Sequence, residues 1–328
     1  MMSKKSIAVY RMPKEQDFFS LESELPILQD DKDKSSGFYF SDFETGTKYS
    51  IRDSHPKTNS WPNFDPHFNE TSETSDQNYY LAKIKEISEK ISEGVFTKVV
   101  FSKIKNREKK NGFELKNTFL SLCKKHPNAF VYCISTPKFG TWMGATPELL
   151  IDTQNSKFKT VSLAGTRTKE VEWTKKERKE QQVVTDFITQ NIAPFCTNMN
   201  VSKPHDLDTG SVIHLKSDIE GELKKENSIW EITDVLHPTP AVCGIPTQLA
   251  KKYILQNEKH ERELYTGFIG PMNLNNHSSL FVNLRCMQIG KKMISLYLGG
   301  GIMADSIAQN EWIETENKAK TLLSVLTE

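Results

Sequence analysis

Residues 298–318, Leu-Gly-Gly-Gly-Ile-Met-Ala-Asp-Ser-Ile-Ala-Gln-Asn-Glu-Trp-Ile-Glu-Thr-Glu-Asn-Lys, constrain the fold more than any other stretch. An apolar, strand-like run from Met293 to Leu298 ends in three glycines, which read as a turn. Glycine lets a backbone approach a ligand closely and leaves amide groups free to face an anion. A helix is expected from near Asn310 to the C-terminus. On it Glu311, Glu314 and Lys318 fall at i, i+3 and i+7 and share one face. Trp312, Ala319, Leu322 and Leu326 form a neighbouring apolar stripe that faces the core. Two carboxylates and an amine beside a glycine turn suit a divalent cation and an anionic ligand. The plain alternative is a solvated helix face with an i, i+4 Glu–Lys pair.

The same pattern occurs earlier. Thr174 to Phe195 reads as a long helix in which Val184, Phe187, Ile188 and Asn191 continue one line. Glu180 and Glu177 extend that line toward the N-terminus. Two helices, each presenting Glu-x-x-Glu beside an apolar stripe, imply an all-oxygen site for a hard cation. Mg²⁺ fits best, because it takes few carboxylates and keeps water or ligand oxygens. For Glu177 the alternative is an acid that complements the helix dipole.

Other candidates lie between these helices. Ser75 to Gly94 has a helical period, with Leu81, Ile84, Ile87 and Ile91 on one face and Gly94 as the stop. The strand Phe96 to Lys103 follows, and alternation assigns Lys98 to the face of Phe96 and Val100. On a buried face such a lysine has a lowered pKa and serves as a base. On a solvent face, the commoner case, it is an ordinary strand lysine. Glu148 follows Thr146-Pro147 and precedes the apolar Leu149-Leu-Ile151. Desolvation there raises a carboxyl pKa, which suits a general acid; the alternative is a turn residue at a strand start. Val161 to Arg167 reads as a strand ending in a Gly165-Thr166 turn whose amides and hydroxyl suit an anion. Ser211 to Leu215 reads as a strand with His214 turned inward, buried and hydrogen-bonded. The stiff loop His237-Pro-Thr-Pro-Ala-Val-Cys-Gly-Ile-Pro246 is of the kind that positions ligands. Glu261 to Gly267, which contains Tyr265, leads into a strand at Phe268. Arg285 ends the strand Leu280 to Arg285, where its fork needs an anionic partner.

Composition excludes several classes. The 43 basic and 42 acidic residues nearly cancel, so bulk electrostatics does not favour nucleic acid. No apolar run approaches the roughly 20 residues a membrane span needs, and the polar N-terminus does not read as a signal peptide. The five cysteines are scattered and lack CxxC spacing, which points to reduced thiols in the cytoplasm. Residues 1–75 read as strands and polar loops belonging to the same domain as residues 76–328. A monomer acting on a small molecule, with no nucleic-acid or membrane partner, is expected.

Taken together the motifs resemble the chorismate-utilising enzymes. They are Lys98-Val-Val, Gly144-Ala-Thr-Pro-Glu148, Leu163-Ala-Gly-Thr166, Glu177-x-x-Glu180 and His237-Pro-Thr-Pro-Ala-Val-x-Gly244. Arg262-x-x-Tyr265-x-Gly267 follows, then Gly299 to Lys318 with Glu311-Trp-x-Glu314-Thr. Their order and spacing agree over about residues 90–328, and the His-Pro-Thr-Pro-Ala-Val loop looks most like the isochorismate synthases. The resemblance implies an α/β (α+β) fold, one large chorismate-binding domain with two large, mainly antiparallel sheets flanked by helices. It implies the dicarboxylate chorismate as substrate and Mg²⁺ as cofactor. Lys98 would then activate water for attack at C2, and Glu148 would protonate the departing C4 hydroxyl. Glu180 and Glu314 would bind Mg²⁺, with Glu177 and Glu311 behind them holding metal-bound waters. Tyr265, Arg285, Lys318 and the Gly299 amide would grip substrate carboxylates, and Thr166, His214 and Ala241 would line the pocket.

Within the family, the ammonia-adding branches usually lack a lysine at the position of Lys98, so its presence points to water. Salicylate synthases keep that lysine and then eliminate pyruvate, but resemble each other in a threonine-bearing loop where this chain has Ala241. Isochorismate formation is therefore the expected reaction, feeding menaquinone or siderophore synthesis. A salicylate synthase and a non-catalytic chorismate-binding protein are the alternatives. Gln181 departs from the family, standing where a histidine commonly follows the metal glutamate, and the lead-in before residue 90 is shorter than usual.

Overall fold

Residues 98–108 form a strand because side chains of both parities find apolar cover. Val99 and Phe101 pack toward helices on one side, while Ile104 enters the core between two sheets on the other. The computed structural model describes residues 5–326 except 25–26, 29–34, 54, 64, 70–72, 209–212 and 225–228. Its elements begin with Ser6–Arg11 (β1), Phe19–Ser23 (β2), Ile27–Leu28 (β3), Gly37–Ser41 (β4), Lys48–Arg52 (β5), Lys57–Thr58 (β6), Gln77–Ser92 (α1) and Lys98–Glu108 (β7). Next come Leu115–Lys125 (α2), Phe130–Thr136 (β8), Gly140–Thr146 (β9), Leu149–Gln154 (β10), Lys157–Arg167 (β11) and Lys175–Ile192 (α3). Cys196–Val201 (β12), His205–Asp208 (β13), Ile213–Leu223 (β14), Ile229–Leu236 (α4), Gly244–Ile245 (β15) and Thr247–Asn257 (α5) follow. The chain closes with Phe268–Met272 (β16), His277–Val282 (β17), Cys286–Ile289 (β18), Met293–Ile302 (β19) and Ala308–Leu326 (α6).

Among the described residues these strands make two antiparallel sheets. The first runs β15-β7-β19-β18-β9-β8-β1-β2-β6; the second runs β12-β14-β11-β10-β17-β16-β4-β5-β3, with β13 also on β14. Aromatic side chains from both sheets fill the space between them, including Phe40, Tyr132, Trp142 and the stacked pair Phe130 and Phe281, 4.3 Å apart. Helices α2 and α6 cover the outer face of the first sheet through Phe119, Leu122, Ala319 and Leu322. Helices α3 and α4 cover the second through Val184, Ile188 and Trp230. Helices α1 and α5 pack on the β7 end.

Two connections between the sheets run side by side. The chain leaves β9 of the first sheet through Pro147 and Glu148 and enters β10 of the second. It returns from β17 of the second sheet to β18 of the first through Leu284 and Arg285. The two crossings are bonded together, with Val282 N donating to Glu148 O at 2.9 Å and Ala145 N donating to Arg285 O at 3.1 Å.

Several expectations need correction. The three glycines are not a turn: Gly299, Gly300 and Gly301 continue β19 and pair with Ser102, Phe101 and Val100 of β7. Phe96 lies before the first residue of β7, so alternation does not reach it, and it packs with Val99 and Phe101 rather than beside Lys98. Helix α6 starts at Ala308 and buries Glu311 at 5% exposure. On α1, Tyr80 takes the buried place expected of Leu81, which is partly buried. The strand expected from Ser211 is seen from Ile213, since residues 211–212 lie outside the described ones.

The inter-sheet stack holds the crossings against each other. Phe281→Ala is expected to destabilise the protein by about 3–5 kcal/mol in urea denaturation, the cost of emptying a large aromatic site. A loss under about 1 kcal/mol would show that the sheets repack without the stack.

Candidate active site

A cavity of about 130 Å³ opens where the crossings meet β7, β11, β19 and helices α3 and α6. Every candidate from the sequence lines it: Lys98, Glu148, Thr166, Glu177, Glu180, His214, Ala241, Tyr265, Arg285, Gly299, Glu311, Glu314 and Lys318.

The glycine strand forms one wall. Val100 N donates to Cys243 O and Ser102 N to Glu258 Oε1, so both turn their amides away from β19. The residues opposite, Gly301 and Gly299, then turn their own backbone groups away from β7. Gly299 O accepts from Lys318 Nζ at 2.9 Å, so its carbonyl has a cationic partner. A Cβ at Gly299 would stand 2.6 Å from Tyr265 Oη, and one at Gly301 would stand 2.8 Å from Lys98 Cε. The glycines thus make room for a tyrosine and a lysine, beyond any conformational freedom.

Four carboxylates arrive from α3 and α6, and each has a partner. Lys98, 2% exposed, donates to Glu180 Oε1 at 2.7 Å. Lys318 Nζ lies 2.8 Å from Glu314 Oε1 as an i, i+4 pair. Ser306 Oγ donates to Glu311 Oε1 at 2.6 Å. Glu177 Oε2 accepts from Thr174 N at 2.9 Å and Thr174 Oγ1 at 2.5 Å. That is a helix N-terminal cap, so part of Glu177 serves the start of α3. Among the described residues, no three His, Cys, Asp or Glu side chains stand close enough together to hold a metal ion as placed. The donor chemistry nevertheless fits a hard dication: carboxylate oxygens from two helices share one cavity.

The remaining charged groups lie at the crossings. Glu148 is 7% exposed, and among the described residues nothing hydrogen-bonds its carboxyl. Burial pushes its pKa up to about 7, against the pull of Lys98, Lys318 and Arg285. Arg285 holds a left-handed backbone, φ 48°, of the kind found at functional sites. Its Nη1 donates to Thr321 Oγ1 at 3.2 Å and its Nη2 to His214 Nε2 at 3.3 Å. Among the described residues no carboxylate lies within ion-pair distance of it. Burial lowers its pKa to about 10, which marks a cation short of an anion. His214 Nδ1 lies 3.1 Å from Gly165 O, which can only accept, so Nδ1 carries the proton and Nε2 accepts from Arg285. Burial, then Arg285 and Lys318, lower the His214 pKa to about 3, so it is neutral. A register shift between Ala164 and Thr166, with Gly165 at φ 74°, brings the Thr166 hydroxyl within 3.1 Å of the same Nδ1.

Three supporting features complete the site; Gln181 and Arg262 stand in the sequence motifs without an assigned role, and Tyr297 and Glu258 are not among the sequence candidates. Gln181, 1% exposed, donates to Ser217 Oγ and Thr185 Oγ1, both at 2.9 Å, and fixes α3 on its sheet with neutral groups. Arg262 donates to Val242 O at 2.9 Å and Val100 O at 2.8 Å and pairs with Glu258, tying the Ala241 loop to β7. Tyr297 also lines the cavity, its ring 5.6 Å from that of Tyr265. Alternation along 293–298 carried a signal for Tyr297. Glu258 has no local signal, since it depends on α5 meeting β7.

Comparison with known proteins identifies relatives of this chain. The family model for chorismate binding enzyme matches residues 39–327. Isochorismate synthase DhbC of Bacillus subtilis is 28% identical over 257 residues, 72% of this chain and 65% of that protein. Isochorismate synthase EntC of Escherichia coli K12 is 27% identical over 217 residues, 62% of this chain and 56% of that protein. Both matches span less than two thirds of the relative's own length. Among solved structures, that of MenF, the menaquinone-specific isochorismate synthase of Escherichia coli, superposes with a TM-score of 0.82 at 19% identity, covering 99% of this chain and 89% of that one. A Bacillus anthracis DhbC, assigned as a 2,3-dihydroxybenzoate-specific isochorismate synthase, gives 0.84 at 23% identity, covering 100% and 97%. At these identities the superpositions establish the fold.

The raised Glu148 pKa makes a stability prediction. The folded chain binds this proton more tightly than the unfolded chain, whose carboxyl titrates near 4.5. Stability must therefore fall as pH rises from about 4.5 to about 7, and level off above. Glu148→Gln removes the titration. The variant's unfolding free energy is expected to gain on the wild type's across that window, by at most about 3.4 kcal/mol. Parallel pH profiles would contradict the buried, unpartnered carboxyl.

Proposed function

This chain belongs to the chorismate binding enzyme family, and from that premise we propose that it isomerises chorismate to isochorismate. The observation that carries the reading is that an unpartnered carboxyl with a raised pKa, Glu148 at the crossing between the sheets, and a buried amine, Lys98 on β7, line one cavity. Lys98 Nζ takes a proton from water as the water oxygen bonds to C2. The ring double bonds shift, the C4–O bond breaks, and Glu148 gives its proton to the departing hydroxyl. One water enters and one leaves, so the step is an isomerisation without a redox partner. Arg285, which lacks an anionic partner, and Lys318 are the groups for the substrate carboxylates. Neutral His214 holds Arg285 and the Thr166 hydroxyl in place.

Mg²⁺ would be held by Glu180 and Glu314, with Glu177 and Glu311 around it. Bound there, it supplies positive charge for a substrate carboxylate. The Lys98–Glu180 and Lys318–Glu314 ion pairs support this reading, since both carboxylates already face a cation. Glu180→Gln is expected to raise the Mg²⁺ concentration needed for activity by tenfold or more, the usual order for metal-site changes, with an unaltered circular-dichroism spectrum. Unchanged Mg²⁺ dependence would rule out this ligand.

Ala241 brings no hydroxyl to the cavity wall, so isochorismate is expected without pyruvate loss. Chromatography of a reaction with chorismate and Mg²⁺ tests the reading. Isochorismate at early times supports it, and predominant salicylate with pyruvate rejects it. Because Glu148 must hold its proton to act as the acid, turnover should fall as pH rises through about 7. Lys98→Ala should lower kcat by at least about a hundredfold while chorismate still binds. Lys98→Arg should not rescue it, since guanidinium does not give up its proton. A Lys98→Ala protein with most of its kcat would assign water activation to another group.

A further inference from the structure

A second, larger cleft of about 960 Å³ lies between the two sheets. It shares only Pro147 and Arg285 with the active cavity. The two ends of the Arg285 guanidinium divide between the compartments. Nη2 donates to His214, which lines the cavity, and Nη1 donates to Thr321, which lines the cleft. A partly buried arginine that bonds only neutral groups, one in each compartment, presents an anion site to both sides of the same wall. Lys14, Lys125, Lys159 and Lys216 stand along the cleft, and its four acids are each held by a cation: Asp218 by Lys216 at 2.6 Å, Asp152 by His277 at 2.8 Å, Asp208 by Lys169 at 2.7 Å and Glu220 by Lys159 at 3.9 Å.

We propose that this cleft is the passage by which the dicarboxylate enters and its product leaves, with Arg285 as the point of transfer. A carboxylate arriving through the cleft meets Nη1 beside the Thr321 hydroxyl, then moves to Nη2 without losing its counter-charge. The crossings make this possible, because they are where the wall between the compartments is a single pair of loops. The identity of the ligand rests on the functional reading above.

A passage has a kinetic signature that a binding site lacks. Obstructing it slows entry and exit equally and leaves affinity unchanged. Val161 lines the cleft and not the cavity. Val161→Cys, labelled with a bulky maleimide after folding, places an obstruction in a protein already folded. Labelled protein without that change is the control for the partly exposed Cys123 and Cys196. Both carry Glu148→Gln to prevent turnover, and stopped-flow tryptophan fluorescence follows chorismate binding with Mg²⁺ present. The passage requires kon and koff both to fall, on the order of tenfold, with Kd unchanged within about twofold. Leu207→Trp, on the cleft wall contributed by β13, should act in the same way. Binding with kon unchanged by either obstruction would overturn the passage and leave the functional reading intact. A control protein that binds no chorismate would overturn both.

Discussion

The site depends on two chain crossings that run side by side between the sheets. A backbone that passes from one sheet to another must leave its ladder, and its polar groups need new partners. Here the crossings satisfy each other, Val282 to Glu148 and Ala145 to Arg285. Their packing leaves no room for a side chain at Gly144, where a Cβ would meet Tyr132, Cys286 and the Arg285 carbonyl within about 2.9–3.1 Å. The carboxyl and guanidinium that result sit at the seam of the two sheets, without the solvation that loop residues normally have. Burial then sets their chemistry, raising Glu148 toward neutrality and lowering Arg285.

Charge organises the rest of the cavity. Lys98, Arg285 and Lys318 face Glu148, Glu177, Glu180, Glu311 and Glu314. Buried ion pairs seldom add net stability, because desolvation offsets the attraction. The pairs here are better understood as a charge balance that ligands can rearrange. Neutral supports surround it: Gln181 with Ser217 and Thr185, and His214 with Gly165 and Thr166. Neutral supports hold the charged groups without adding charge of their own.

Much of this was legible in the chain because helices carry their contacts in a local period. Glu177 with Glu180 and Glu311 with Glu314 are readable as paired faces, and both pairs line the cavity. Strand features were less secure. Glycine serves turns and tight strand contacts equally, so only the pairing of 299–301 with β7 decides between them. Alternation assigns Lys98 to the face of Phe96 only if the strand reaches Phe96; it begins at Lys98, and Phe96 packs instead with Val99 and Phe101. The salt bridges of Lys98 and Lys318 differ in the same way. The second is an i, i+4 pair visible in the sequence, whereas the first joins residues 82 positions apart and exists only through the fold. Arg262 and Glu258 show the same limit, since their network forms only when α5 meets β7.

The proposed reaction divides its two proton transfers between Lys98 on β7, as acceptor at the incoming water, and Glu148 at the seam of the sheets, as donor at the departing hydroxyl. Isotope tracing tests this most directly. Chorismate is incubated with the protein and Mg²⁺ in ¹⁸O-labelled water, and the position of label in the product is read by mass spectrometry and ¹³C chemical-shift displacement. The account predicts isochorismate carrying ¹⁸O at C2, with the original C4 oxygen lost to solvent. Isochorismate formed without label would show that the hydroxyl migrates within the substrate, and would contradict the division of labour between Lys98 and Glu148.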